Sequence, residues 1–175
     1  IELININIAY YNERDSQNLK SNIKNLSLNV EHSKSLSSLK INGGLYIEDL
    51  TIKDLNYING KNIELNTEIF LNEDSTKIKA PSIIIENVNF SNFYYDAFNN
   101  KYFLSFEVTD QKIENIISVT PDNLKYLFDQ HKLNGILDAS IHLEKEKINI
   151  NPSCEISFLL TNGKYEHLTI PFKIS

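Results

Sequence analysis

The stretch Leu45-Tyr46-Ile47-Glu48-Asp49-Leu50-Thr51-Ile52 contains a pattern that occurs three times in this chain. The shared order is Ile-Glu, any residue, an aliphatic residue, any residue and an apolar residue, and the copies begin at Ile1, Ile47 and Ile85. Each copy continues through Asn or Asp to a tyrosine and then to a second alternating segment. Repeats spaced by about 38 to 46 residues are typical of stacked architectures. The threefold repeat predicts a serial antiparallel β-meander, curved and mainly β, that forms either an open groove or a sandwich.

Within each copy the apolar positions change parity. Leu45 and Ile47 are at odd positions, whereas Leu50 and Ile52 are at even ones, so a regular strand would turn its two halves to opposite faces. Either both faces are covered, or a β-bulge at the Glu-Asp/Asn step restores a common face and bends the strand. We favour the bulge, which would curve the sheet. It predicts one shared face, the candidate functional face, for six residues: Ile4, Ile6, Leu50, Ile52, Val88 and Phe90.

Three Asn-Gly dipeptides lie between alternating segments, at Asn42-Gly43, Asn59-Gly60 and Asn162-Gly163. Both residue types accept the positive φ that primed turns require. We therefore predict a tight hairpin at each of these three dipeptides.

One short α-helix is predicted near 121–132. Thr120-Pro121-Asp122 is typical of a helix start, and the apolar spacing of Leu124, Leu127 and Phe128 is helical. These three residues are expected to face inward and close one end of the sheet. The preceding segment, 113–118, fits either a helical turn or a strand.

The composition narrows the class of protein. The 175 residues, 41% hydrophobic and 23% charged, suit one β-rich domain or segment spanning 1–175. A net charge of -6 argues against a nucleic-acid partner, which needs clustered cations. The absence of Met suggests a segment cut from a longer protein, and no apolar run reaches the roughly 20 residues of a membrane span.

Catalytic and metal-binding signatures are missing from the sequence. The four histidines are scattered without the converging ligands of a zinc site. The single cysteine, Cys154, alternates with Ile156 and Phe158, which predicts a buried structural thiol. The aromatic stretch from Phe90 to Phe106 has one interleaved cation, which favours a packed core or apolar groove over base stacking. We expect no enzyme activity and no cofactor.

The order of features from Phe103 onward resembles the C-terminal region of AsmA-like proteins. A strand precedes a short helix with a proline, then a glycine-initiated strand and later an Asn-Gly turn with a closing strand. The matching positions are Val108-Thr109-Asp110, Ile113, Ile116-Ile117, Pro121, Leu124, Leu127-Phe128, Gly135-Ile136-Leu137, Pro152, Ile156-Ser157-Phe158, Asn162-Gly163-Lys164-Tyr165 and Ile170-Pro171. The paired strands of the first hundred residues are also similar to that family.

This resemblance implies a periplasmic segment of a Gram-negative envelope protein, anchored in the inner membrane by a part outside this chain. It implies an apolar β-groove that carries phospholipid acyl chains between the inner and outer membranes and supports outer-membrane homeostasis. The residues leave one alternative open, a β-sandwich scaffold or adhesion module with a closed dry core, because an apolar sheet face can hold a ligand or pack on a second layer.

Overall fold

The computed structural model describes residues 1–14, 16–33, 36–53, 55–99, 101–129, 131–146, 153–167 and 170–173. Within them ten strands form one sheet that follows the order of the chain, each strand antiparallel to the next. The strands are β1 (Glu2–Asn12), β2 (Gln17–His32), β3 (Ser37–Ile52), β4 (Leu55–Leu71), β5 (Ser75–Ile85), β6 (Val88–Phe98), β7 (Lys101–Lys112), β8 (His131–Glu146), β9 (Ser153–His167) and β10 (Ile170–Lys173). The predicted antiparallel meander is confirmed.

The sheet is open and has one layer. In the described residues β1 pairs with β2 alone, and β10 pairs only with the end of β9. Of the two predicted forms, the structure therefore has the open sheet rather than two packed sheets. β2, β3, β4 and β8 have 16 or 17 residues, which at ~3.3 Å per residue makes each roughly 50 Å long.

Two short helices, α1 (Ile113–Val119) and α2 (Asp122–Asp129), connect β7 to β8. The helix predicted near 121–132 is confirmed, although it ends at Asp129 because β8 begins at His131. The segment 113–118 is helical rather than extended. Thr120 ends α1 instead of capping α2: its N–H and its hydroxyl both donate to the carbonyl of Ile116, at 3.1 and 3.0 Å.

The bulge predicted in the second copy of the repeat is present at Glu48. Ser21 pairs with Ile47 and Leu19 with Leu50, so β3 takes three steps where β2 takes two, and Glu48 is the extra residue. Leu19 and Ser21 are two apart on a regular stretch of β2 and point the same way. Ile47 and Leu50 therefore share one face despite their different parity.

The other two copies differ from this prediction. In the first copy the irregular residue is Asn5, with φ of 54°, rather than the step after Glu2. In the third copy Glu86 and Asn87 connect β5 to β6, and Ile85 pairs with Val88 across that turn. The Glu86 carboxylate accepts the backbone N–H of Asn62 at 2.6 Å, which ties the turn to β4. A bulge was therefore the wrong prediction for the third copy.

The three predicted Asn-Gly hairpins are also wrong, because all three dipeptides lie inside strands β3, β4 and β9. The backbone still uses their conformational freedom: Gly43, Gly60 and Asn162 have φ of 135°, 62° and 53°. Positive φ serves strand irregularities as well as turns. The chain instead reverses at polar segments such as Asn72–Ser75, where Asn72 Oδ1 accepts the N–H of Asp74 and of Ser75 at 3.0 and 2.6 Å.

Candidate functional site

One face of the sheet is apolar across nearly its whole width; we call it the apolar face. Residues paired across antiparallel strands point to the same side, so the register traces rows of side chains over the sheet. One row crosses nine strands: Leu3, Leu26, Gly43, Leu65, Ile83, Phe90, Val108, Ala139 and Phe158. A second row crosses eight: Val30, Leu39, Ile69, Ile78, Tyr95, Leu104, Leu143 and Cys154. A third crosses six: Ile6, Ile23, Leu45, Ile63, Ile85 and Val88.

The opposite face is largely polar. A row offset by one residue from the apolar rows contains Asn29, Lys40, Glu68, Lys79, Tyr94, Ser105, His142 and Glu155. Lys40 and Glu68 form an ion pair of 3.3 Å there, and the side chain of Asn22 donates to that of Asn7 at 2.7 Å. Exposing the apolar face to water is therefore less favourable in free energy than exposing the polar face.

The apolar face contains the buried apolar side chains of the sheet. Six strand residues with apolar side chains are buried, all of them on this face: Ile23, Ile47, Ile63, Ala80, Val88 and Val108. Ile23 of β2 and Ile47 of β3 each have a paired strand on both sides, and the side chains of those strands pack beside them.

The helices lie at the end of the sheet where β7 ends. α2 contacts both β4 and β8, while α1 contacts β6, β7 and β8. The junction between them, at Val119 and Pro121, lies against Ile58 and Ile85 of the apolar face around a gap of ≈ 10 Å³. Ile113, the first residue of α1, is buried. The helical connection therefore packs against the end of the sheet, where it contacts β4, Ile85 of β5, and β6 to β8.

Polar contacts join α2 to β4. Asp122 forms an ion pair with Lys125 at 2.6 Å, and the hydrogen bond and charge of Lys125 lower the pKa of that carboxyl below its ordinary value. A hydrogen bond from Asn59 and the charge of Lys61 lower the same pKa further. Asn59 and Lys61 belong to β4, so Asp122 is the residue through which α2 is linked electrostatically to the sheet.

The inward-facing stripe predicted for α2 is only partly present. Leu124 is 40% exposed, which departs from the prediction, whereas Phe128 is half-buried. The side chain of Leu127 lies outside the described residues. The covering of the sheet end comes more from the α1–α2 junction than from this stripe, since Val119 and Pro121 are the helical residues that lie against β4 and β5.

Five of the six predicted face residues lie on the apolar face. Ile6 and Val88 belong to the six-strand row, and Phe90 belongs to the nine-strand row. Leu50 and Ile52 lie on β3 nearer the helical end of the sheet, where they pair with Leu19 and Gln17. They lie on β1, β3 and β6 rather than on neighbouring strands, so they are not side by side as expected.

Ile4 departs from the predicted face. It pairs with Asn25, which pairs with Gly44, whereas Ile6 lies in the row of Leu45. Gly44 and Leu45 are adjacent and point to opposite sides. The irregularity at Asn5 thus sends Ile4, 60% exposed, to the polar face, where it lines a shallow cavity with Ser27.

Charged groups are sparse in the rows that define the apolar face and its two ends. Lys61 lies in the row of Ile8, Ser21 and Ile47 at the helical end, and Lys145 lies in the row of Tyr102 at the other end. Between them the face has mainly aliphatic and aromatic side chains, with the buried Thr67 as a polar exception. Phe90 and Phe106 contact each other edge to face there, with ring centroids 5.6 Å apart.

The aromatic stretch from Phe90 to Phe106 is divided between the faces. Phe90 and Phe106 line the apolar face, while Tyr94 and Phe103 pack together on the polar one, at 5.8 Å. The Tyr94 hydroxyl donates to Asp96 at 2.9 Å, and this bond raises the pKa of Tyr94.

No catalytic arrangement occurs in the described part of the chain. No group of His, Cys, Asp and Glu among those residues is placed to hold a metal ion. The carboxylates of the cavity of ≈ 380 Å³ near Ser140 have structural partners: Glu107 accepts from Asn92 at 2.7 Å and Asp138 from the Asp110 N–H at 2.6 Å. Cys154 is exposed, not buried as predicted.

Several residues of the apolar face were missed from the sequence, chiefly Ile23, Ile63, Leu104 and Phe106. Their alternation is visible in the sequence, but only the strand register assigns them to one face.

No helix in the described ranges has the length and hydropathy needed to cross a membrane. The chain shows no significant match to any family model, curated protein or solved structure.

Proposed function

We propose that this chain is a non-enzymatic β-groove that holds phospholipid acyl chains on its apolar face. Its place would be the periplasm, as a segment of an AsmA-like envelope protein anchored in the inner membrane outside this chain. Its role would be phospholipid transfer between the inner and outer membranes. The observation that carries the proposal is the continuity of the apolar face across eight and nine strands of a sheet with a polar back.

The dimensions of the face suit acyl chains. Strands of 16 or 17 residues are roughly 50 Å long, whereas one leaflet of a bilayer core is about 15 Å thick. Neighbouring strands are ~4.8 Å apart, so several chains fit side by side across the strands. The long axis leaves room for chains to move along the face without leaving it.

The chemistry of the face also suits hydrocarbon. Acyl chains have no hydrogen-bonding groups, and the long rows present almost none to them; each methylene removed from water contributes ~0.8 kcal/mol. The exposure of Ile156 and Phe158, at 57% and 72%, leaves apolar surface in water that an acyl chain would cover. Exposed apolar patches of this extent mark binding surfaces.

Native mass spectrometry of the purified chain tests this proposal. The chain is incubated with phosphatidylethanolamine vesicles, separated from free lipid and sprayed from volatile buffer. The proposal predicts adducts with the mass of intact phospholipid on the monomer. A lipid-free dimer would instead indicate that the apolar face is covered by protein, as in the scaffold alternative, and a lipid-free monomer would also contradict the groove.

A further inference from the structure

The first strand of the sheet has a paired strand on one side. In the described residues β1 pairs with β2, and no strand pairs with its other edge. Ile6 and Ile8 of β1 are 38% and 40% exposed. In the same two rows, Ile23 of β2 and Ile47 of β3 have a paired strand on both sides and are 3% and 7% exposed. A further strand beside β1 would therefore remove Ile6 and Ile8 from water.

The edge of β1 has no feature that blocks pairing. Sheet edges are usually protected by charged side chains, proline or a bulge. The stretch from Ile6 to Asn12, Ile-Asn-Ile-Ala-Tyr-Tyr-Asn, contains no charged residue and no proline, and the positive φ of Asn5 lies before it. The other outer strand with a long edge, β9, contains Glu155 and Lys164 and is paired with β10 at one end. β1 is therefore the edge better suited to pair with another strand.

The direction of the strands selects the partner. Each strand is antiparallel to the next, so β1 and β9, which are eight strands apart, run in the same direction. With both apolar faces on one side, β1 of one copy beside β9 of another would form a parallel pair. A twofold axis normal to the sheet instead places β1 beside β1 as an antiparallel pair, which is slightly more stable per residue. That arrangement is closed and needs only a second copy of the chain.

We propose that β1 pairs with β1 of a second copy of this chain. Residues opposite each other must belong to the same face. The regular part of β1, Ile6 to Asn12, is centred on Ala9, so Ala9 lies opposite its own copy on the polar face. Ile8 then lies opposite Tyr10 on the apolar face, an aliphatic–aromatic pair that stabilises sheets. The apolar face becomes continuous over both copies, and the pairing does not depend on what that face binds.

The dimer is expected to be weak. A strand edge of seven residues is ~23 Å long, and one such edge makes an interface smaller than the ~1,200 Å² of stable complexes. The pairing is therefore reversible, and the chain is mostly monomeric at low micromolar concentration. A covalent trap detects such a dimer because it accumulates the paired form.

Disulfide trapping tests the pairing at single positions. In a Cys154→Ser background, Ala9→Cys places a thiol at the twofold axis, where opposite Cα atoms are ~4.5–5.5 Å apart, within disulfide range. Tyr11→Cys is the register control, because its two copies would be four residues out of register, ~13 Å apart. Ser157→Cys provides an exposed thiol on the polar face of β9. Each variant, folded by circular dichroism, is oxidised with oxidised glutathione, and the disulfide dimer is measured by non-reducing electrophoresis.

We expect Ala9→Cys to form the disulfide dimer at least ~10-fold faster than Tyr11→Cys or Ser157→Cys, because pairing raises the effective concentration of the two thiols. Tyr11 is 68% exposed, so solvent access alone would not favour Ala9→Cys over Tyr11→Cys. Equal rates for the three variants, or the fastest rate for Ser157→Cys, would overturn pairing through β1. The fastest rate for Tyr11→Cys would overturn the twofold axis at Ala9.

Discussion

Phe90 of β6 and Phe106 of β7 meet edge to face on the apolar face, with ring centroids 5.6 Å apart and ring planes 71° apart. This geometry is favoured by aromatic quadrupoles and contributes about 0.5–1.5 kcal/mol beyond area burial. The pair fixes β6 against β7 in the middle of the proposed groove, so the same side chains both stabilise the sheet and form its lining.

A double-mutant cycle with Phe90→Leu and Phe106→Leu should therefore show positive coupling. We expect the free energies of unfolding by urea to be non-additive by about 0.5–1.5 kcal/mol. Phe103 lies on the polar face beside Tyr94, so the cycle of Phe90→Leu with Phe103→Leu serves as control. Equal coupling in both cycles would contradict the assignment of Phe90 and Phe106 to one face.

Val88 and Ile52 should respond differently to a buried charge. Val88 is 0% exposed at the start of β6, and an unpaired carboxylate there cannot be solvated, so Val88→Asp should abolish cooperative folding. Ile52 is half-exposed at the end of β3, and Ile52→Asp should remain folded. Circular dichroism with thermal melting distinguishes them; two folded variants with equal melting temperatures would mean that the Val88 position is not buried.

Adjacent glycines of β3 should differ sharply in their tolerance of alanine. Gly43 has φ of 135°, and an added Cβ would lie 2.1 Å from the carbonyl oxygen of Asn25. At Gly44 the nearest atom would be 3.7 Å away. Gly43→Ala should lower the free energy of unfolding by at least ~2 kcal/mol, and Gly44→Ala by less than ~1 kcal/mol. Equivalent denaturation midpoints for the two variants would refute the irregular backbone at Gly43.

The attachment of α2 should weaken in acid. Lys125, Asn59 and Lys61 lower the pKa of Asp122 below its ordinary value of 3.8. A lowered folded-state pKa gives stabilisation that is present above the ordinary value and is lost as the pH falls through the folded-state value. Hydrogen exchange of α2 amides should thus be faster in Asp122→Asn than in the unchanged chain near neutral pH. The difference should shrink as the pH falls below 3.8 and vanish only when the pH is below the lowered folded-state pKa. A difference that persists there would exclude the Asp122 carboxylate as the link.

The meander and the bulge at Glu48 were predictable because both leave a mark in local sequence. Alternation identifies strands, and the parity change between Ile47 and Leu50 identifies an extra residue. The hairpin predictions failed because Asn-Gly reports only a tolerance of positive φ, which strand irregularities at Gly43 and Gly60 use equally well. Strands of 16 residues or more could accommodate those positions without reversing.

Membership of the apolar face was less predictable, because it depends on register over many strands. A single irregularity at Asn5 moves Ile4 to the polar side while Ile6 stays on the apolar one. Cys154 was predicted to be buried from alternation alone, but alternation shows only which side of β9 its side chain is on, and that position is exposed. The face on which Ile4 lies and the exposure of Cys154 both depend on more than the few residues around each position.

Binding of a fluorescent phospholipid to Leu65→Asp tests the central claim most directly. Leu65 lies in the nine-strand apolar row, and its exposed neighbour Asn66 lies on the polar face, so Asn66→Asp adds a charge to the same strand as a matched control. Tyr102→Asp, at a position 38% exposed, replaces Leu65→Asp if the latter does not fold. The groove predicts that the apolar-face variant is folded by circular dichroism but binds the lipid at least ~10-fold more weakly, a loss of about 1.4 kcal/mol. It predicts that Asn66→Asp binds the lipid as tightly as the unchanged chain does. Equal lipid binding by the folded apolar-face variant and by Asn66→Asp would contradict the claim that the apolar face holds acyl chains.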